Sequence, residues 1–130
     1  MESRRPRILV VDDNYATQIL LKIVLGSVGY ELDMASNSSQ GIDYLRSRPT
    51  PSLVILDLRM PDGGGVDFLE KRSHSRDLSN IPVMILSGDS AITDVASNFG
   101  IEHYLVKGAK PSVLIDLVRR LVPANEAYPC

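Results

Sequence analysis

Residues 52–65 read SLVILDLRMPDGGG. Leu53, Val54, Ile55 and Leu56 form an apolar run that does not alternate, the pattern of a strand buried on both faces between layers of helix. The run ends in a carboxylate, Asp57. Pro61 and Gly63, Gly64 and Gly65 follow, so the chain is expected to open into a loop at once, with the next helix over 66–73 anchored by Phe68 and Leu69. In open parallel sheets, ligands collect beyond the carboxyl ends of the strands. An acid placed there has a chemical use.

The same grammar repeats on both sides of this stretch. Residues 8–11 are a second apolar run, ending in Asp12 and Asp13. A helix is predicted over 14–28, with Thr17, Leu20, Leu21, Val24 and Val28 on one face and Gly29 as its terminating glycine. A short edge strand over 31–35 follows, then a helix capped by Ser38 or Ser39 that carries Ile42 and Leu45 to Arg48. Pro82 to Leu86 is apolar again and leads to Ser87, Gly88 and Asp89. A short amphipathic helix over 90–99 points Ile92, Val95, Ala96 and Phe99 inward. The strand 103–106 ends in Lys107, and Pro111 opens a last helix whose stripe is Val113, Leu114, Leu117, Val118 and Leu121. Five strands alternating with five helices predict an α/β fold with a doubly wound parallel sheet.

Composition narrows the classes without choosing among them. The 130 residues are 44% hydrophobic and 23% charged, with a net charge of −2, which suits one domain with its own core and gives no general pull toward nucleic acid. No window reaches the length of a membrane span. The one cysteine, Cys130, offers no disulfide framework, in keeping with a reducing, cytoplasmic setting. No glycine-rich nucleotide loop, helix-turn-helix or basic cluster is present, so neither direct ATP chemistry nor DNA contact is expected.

Chemistry-bearing groups close four of the five strands: Asp12 and Asp13, Asp57, Ser87 and Lys107. Parallel strands deliver all of these to one edge. Each has a bland explanation by itself, since Asp13 or Ser87 could cap a helix and Lys107 could be a solvated surface charge. Their shared position is harder to explain by capping. Three carboxylates in one cleft repel one another unless a cation intervenes, and oxygen ligands without His or Cys select a hard ion such as Mg²⁺. A lysine and a hydroxyl beside such a site can orient phosphoryl oxygens, and Asp57 can act as a carboxylate nucleophile that forms an acyl phosphate.

Taken together, VVDD at 10–13, VILDLRMPDG at 54–63, LSG at 86–88 and YLVK at 104–107 resemble the receiver domains of two-component response regulators. The resemblance covers 7–122, with 123–130 as a tail or the start of a linker. It implies a flavodoxin-like sheet in the order 2-1-3-4-5. It further implies that Asp57 accepts a phosphoryl group from a sensor histidine kinase or histidine phosphotransfer protein. Asp13, Asp57 and the backbone carbonyl of Arg59 would ligate Mg²⁺, with Asp12 acting through water. Lys107 would contact the phosphoryl oxygens, and Ser87 and Tyr104 would switch with phosphorylation, altering the face built from helix 90–99, the strand through Tyr104 and the last helix. That face would meet an output domain or target protein, or a second copy of the chain. On this reading the chain is a phosphoacceptor signalling domain that assists its own phosphorylation and dephosphorylation, not an enzyme acting on a separate substrate.

Departures from the family pattern carry their own expectations. Gly108 follows Lys107 where such domains often have proline, and a trans bond is expected there. The triple glycine is expected to loosen the loop beside Asp57. Arg59 and Asp89, each two residues past a site group, can pair across the mouth and modulate phosphoryl lifetime. Tyr15, Ile19 and Ile23 form a second apolar line on the first helix, either a kinase-docking stripe or a surface beneath the last helix. Rival readings are an aspartate-nucleophile phosphatase, which needs an Asp-x-Asp pair where Asn14 stands, and a flavin protein, whose phosphate Asp12 and Asp13 would repel. A receiver that acts by contact alone is the third.

Overall fold

A computed structural model describes residues 5–47, 49–61 and 63–123. Arg48, Asp62 and most of the expected tail, including Cys130, lie outside the described residues. The elements run β1 (Arg7–Val11), α1 (Tyr15–Gly26), β2 (Glu31–Ala35), α2 (Ser38–Ser47), β3 (Leu53–Leu56), α3 (Gly64–Ser73), β4 (Val83–Ser87), α4 (Ile92–Asn98), β5 (Tyr104–Val106) and α5 (Pro111–Leu121). All strands are parallel, in the order β2-β1-β3-β4-β5. The doubly wound sheet expected from the sequence is borne out.

The unbroken apolar runs work because successive side chains on a strand face opposite layers. Leu9, Val11, Val54, Leu56 and Ile85 pack with Phe68, Leu69, Ile92 and Ala96, uniting α2, α3 and α4 on one side. Ile8, Val10, Ile55 and Met84 pack with Leu21, Leu25, Leu114, Leu117 and Val118, uniting α1 and α5 on the other. At about 1.5–3 kcal/mol for each fully buried aliphatic side chain, these two layers are the principal source of stability. β5 is an edge strand, and its exposed Tyr104 and Val106 mark the rim of the sheet.

Register decides what happens at the carboxyl edge. Val11 lies opposite Leu56, so Asp12 and Asp57 are the next residues on neighbouring strands. Ser87 lies opposite Val106, so Lys107 emerges beside it. The Asp57 amide donates to the Val11 carbonyl, and the Lys107 amide to the Ser87 carbonyl. The ladder therefore continues to the acids and the lysine themselves.

Several local expectations change. The buried face of α1 is Gln18, Leu21 and Leu25, while Leu20 is exposed. Two aliphatic lines on one helix leave its phase ambiguous, and the sheet selects the line containing Leu25. Val113 is likewise exposed on α5, where Leu114, Leu117 and Val118 face inward. Asn37, not Ser38 or Ser39, caps α2, its side-chain oxygen accepting from the Gln40 amide at 2.8 Å. Helix α3 starts at Gly64, two residues before the expected point.

That last difference revises the reading of the glycines. Gly63 and Gly64 both adopt the left-handed region, at φ 83° and 69°, where a side chain is strained. A Cβ on Gly64 would strike the Leu58 carbonyl oxygen, and one on Gly65 would stand 2.5 Å from that of Asp57. The Gly65 amide donates to the Leu58 carbonyl at 3.0 Å. Glycine is required here by close approach, which fastens α3 to the Asp57 loop instead of loosening it.

Candidate functional site

Asp57, Asp12 and Ser87 are 5%, 3% and 0% exposed, although all three are polar and stand at strand ends. Burial of such groups requires partners, and each has them. Ser87 Oγ donates to Asp57 Oδ1 at 2.8 Å, and the Arg59 amide approaches the same oxygen at 3.3 Å. Lys107 Nζ lies 2.8 Å from Asp12 Oδ2 and 3.2 Å from Asp57 Oδ2. The remaining Asp12 oxygen accepts from the Asn14 amide at 2.8 Å. Asp13 stays exposed, yet one oxygen from each of Asp12, Asp13 and Asp57 falls within 4.8 Å of the others. The five strand-end groups named from the sequence converge.

The electrostatics follow from that crowding. Burial drives the Asp12 carboxyl above its usual range, and the Asp57 charge adds to this against the opposing help of Lys107 and the Asn14 amide. Burial also works against the Lys107 ammonium, but the hydrogen bond to Asp12 and the charges of Asp12 and Asp57 outweigh it and hold the lysine protonated above its ordinary range. Three carboxylates against one ammonium leave two negative charges, which matches a divalent cation. The donor set is oxygen only, so the residues fit a hard ion.

Ser87 does more than touch Asp57. Its oxygen accepts from the Asp89 amide at 3.2 Å and approaches the Leu58 amide at 3.4 Å, so it joins the loops after β3 and β4. Asp89 in turn accepts from the Ala91 amide at 2.8 Å, ahead of α4. That bond first, and then Arg59, holds the Asp89 carboxyl below its usual range. Arg59 Nε and Asp89 Oδ2 are 3.3 Å apart, the pairing anticipated across the mouth. Lys107–Gly108 is trans, and Gly108 takes φ 100°.

The other anticipated residues stand outside the cluster. Tyr104 is 38% exposed on β5. Tyr15, Ile19 and Ile23 are exposed on α1, at 73%, 41% and 65%, so α5 does not cover them, and Leu20 widens the patch. Sequence reasoning missed Gln18, which is buried on α1 and donates through Nε2 to the Asp12 carbonyl at 2.6 Å. The available signal was phase: positions 18, 21 and 25 share one helical stripe, and a polar residue in it has to find a partner.

Comparisons with known proteins agree on the family and the fold. The family model described as "Response regulator receiver domain" matches residues 8–119. Two-component response regulator ORR11 of Oryza sativa subsp. japonica is 30% identical, over 91% of this chain and 82% of its own length. DNA-binding response regulator MtrA of Mycolicibacterium smegmatis is 33% identical over 99% of this chain, which spans 56% of MtrA. The crystal structure of the Mn(2+)-bound form of response regulator Rcp1 superposes with a TM-score of 0.74 at 25% identity, covering 89% of this chain and 91% of Rcp1.

Proposed function

This chain belongs to the response regulator receiver domain family, and from that premise we propose that Asp57 accepts a phosphoryl group from the phosphohistidine of a sensor kinase or phosphotransfer protein. One observation carries the reading: the Asp57 carboxylate lies between the Ser87 hydroxyl and the Lys107 ammonium, with Asp12 and Asp13 alongside. A carboxylate oxygen of Asp57 attacks phosphorus, the nitrogen–phosphorus bond breaks, and the donor imidazole leaves with the electron pair and takes up a proton. Charge gathers on the phosphoryl oxygens during transfer, so preorganised donors matter most. Lys107 supplies a positive charge with little reorganisation, and Ser87 supplies a hydroxyl that turns from Asp57 toward the new group.

Mg²⁺ is the cofactor we assign, held by Asp13, Asp57 and the Arg59 carbonyl, with Asp12 acting through water. When bound it offsets the negative charge of the transferring group. The uncompensated acid charge supports this, as does the Mn(2+)-bound state of the relative Rcp1.

Phosphorylation adds charge and acceptor oxygens at the junction of the loops after β3 and β4, which favours a different arrangement of Ser87 and Tyr104. The exposed Tyr104, Val106 and Val113 place apolar surface along β5 and α5, where an output domain, a target or a second copy would bind. Tyr15, Ile19 and Ile23 would dock the phosphodonor protein. Ile19→Glu is then expected to slow transfer from that donor but not from acetyl phosphate; equal slowing of both would remove the docking role. Arg59 and Asp89 would restrict water at the acyl phosphate, so Arg59→Ala should shorten its lifetime. No helix among the described residues is long and apolar enough to cross a membrane, and we place the domain in the cytoplasm as a signalling module.

The decisive experiment is intact-mass analysis with acetyl phosphate and Mg²⁺. Wild type should gain one phosphoryl mass and Asp57→Asn should not. Equal gains in both, or none in wild type under any small-molecule donor, would overturn the proposal.

A further inference from the structure

Asp12 is restrained at four separate atoms. Its amide donates to the Ala35 carbonyl at 2.9 Å. Oδ1 accepts from Asn14 and Oδ2 faces Lys107. The fourth atom is its backbone carbonyl, which accepts from Gln18 Nε2 at 2.6 Å, while the same amide nitrogen lies 3.3 Å from Ser36 Oγ. Gln18 is 9% exposed, in the stripe that otherwise seats Leu21 and Leu25. A polar side chain in such a stripe is costly unless its bonds are made. Here they are made to the loop that carries the two acids.

The position of that bond is informative. The carbonyl of Asp12 and the amide of Asp13 share one rigid peptide plane. Holding the carbonyl sets the tilt of the plane, and so the direction from which the Asp13 side chain leaves the backbone. We propose that Gln18 is a positioning residue for the divalent-cation site: it orients the Asp12–Asp13 peptide so that the exposed Asp13 carboxylate meets those of Asp12 and Asp57. This inference rests on the reading of those acids as a cation site. Outer partners of this kind tune affinity without touching the ion.

The test is calorimetric titration of the whole chain with Mg²⁺, alongside the Mg²⁺ dependence of phosphorylation by acetyl phosphate. Gln18→Met keeps the volume and removes the donor; Gln18→Asn keeps the amide but withdraws it by one methylene. Both should weaken Mg²⁺ binding by about tenfold and raise the Mg²⁺ needed for half-maximal rate, with the rate at saturating Mg²⁺ unchanged. Ser36→Ala removes the amide's other partner and should leave Mg²⁺ affinity at the wild-type value. Folding of each variant is checked by urea unfolding in chelator, and the two Gln18 variants serve as substitutes if one does not fold. Wild-type affinity in a folded Gln18 variant, or an equal loss in Ser36→Ala, overturns the inference and leaves the phosphoacceptor reading standing. A wild type that binds no Mg²⁺ overturns the cation site itself.

Discussion

Strand β1 carries ion pairs at both ends, and the two ends differ in kind. At its start Arg7 meets Asp33 at 2.7 Å and Glu31 at 2.8 Å across to β2, and the Tyr44 hydroxyl adds a bond to Asp33. The side chains keep 41% and 31% of their surface in water. The bond to Asp33, opposed by burial and aided by the charges of Asp33 and Glu31, holds the Arg7 guanidinium above its ordinary range. At the far end, Asp12 and Asp57 meet Lys107 at similar distances, but the two carboxylates keep only 4% and 6% of their side-chain surface in water. Distance does not separate a structural pair from a chemical one here. Burial does, because at the carboxyl edge the excess negative charge sits on acids that water scarcely reaches, whereas the excess at Arg7 is screened.

The largest effect that would break this contrast is at Lys107. Lys107→Met leaves two buried carboxylates facing each other, and phosphorylation by acetyl phosphate at saturating Mg²⁺ should fall by about 100-fold or more. A fall of less than about threefold, outside the range for a preorganised charge, would put the lysine in the same class as Arg7.

A third ion pair sharpens the comparison. Ser38, fully buried on α2, donates to Asp67 Oδ2 at 2.7 Å, and Lys71 reaches the same oxygen at 3.0 Å. The Ser38 bond first, then Lys71, holds the Asp67 carboxyl below its usual range. A depressed carboxylate stabilises the fold above its unfolded pKa and loses that contribution as pH falls through its folded value. Ser38→Ala should therefore cost about 1.5 kcal/mol by urea unfolding at neutral pH, with the deficit shrinking below about pH 4. A deficit that persists unchanged in strong acid would assign it to packing alone.

The smallest effects are the most diagnostic. Asp13→Asn removes one of three crowded like charges, so the fold should be no less stable in the absence of divalent ions while losing Mg²⁺-dependent phosphorylation. Arg7→Met should cost about 0.5 kcal/mol and leave phosphorylation at the wild-type rate. If Asp13→Asn destabilises the chelated protein, the crowding at the carboxyl edge has been misjudged.

The sequence made the sheet legible because four of its five strands are apolar runs closed by a functional group, and the alternation with helices leaves few topologies. The five converging site groups were legible for the same reason, since parallel strands cannot scatter their ends. What escaped was phase and contact. Leu20 and Leu25 are equally apolar, and only the packed sheet shows that Leu25 faces inward. Gln18 went unnoticed because the phase of α1 was ambiguous and its partner is a backbone carbonyl with no sequence signature. Gly64 and Gly65 read as slack, although their identity is fixed by carbonyls six and eight residues earlier that local pattern cannot reveal.

Helix α5 is held differently at its two ends. Its entry follows Lys107 and Gly108, beside the site. Its exit is clamped, because the hydroxyl of the buried Tyr30 donates to the Val122 carbonyl and the Val122 side chain is itself buried. The helix spans about 16 Å at 1.5 Å per residue, so its clamped exit lies well away from the site. On the proposed switch, a shift that began at Lys107 would reach the first turn, with its exposed Val113, before the clamped Val122. A surface that read such a shift would be best placed over the first turn.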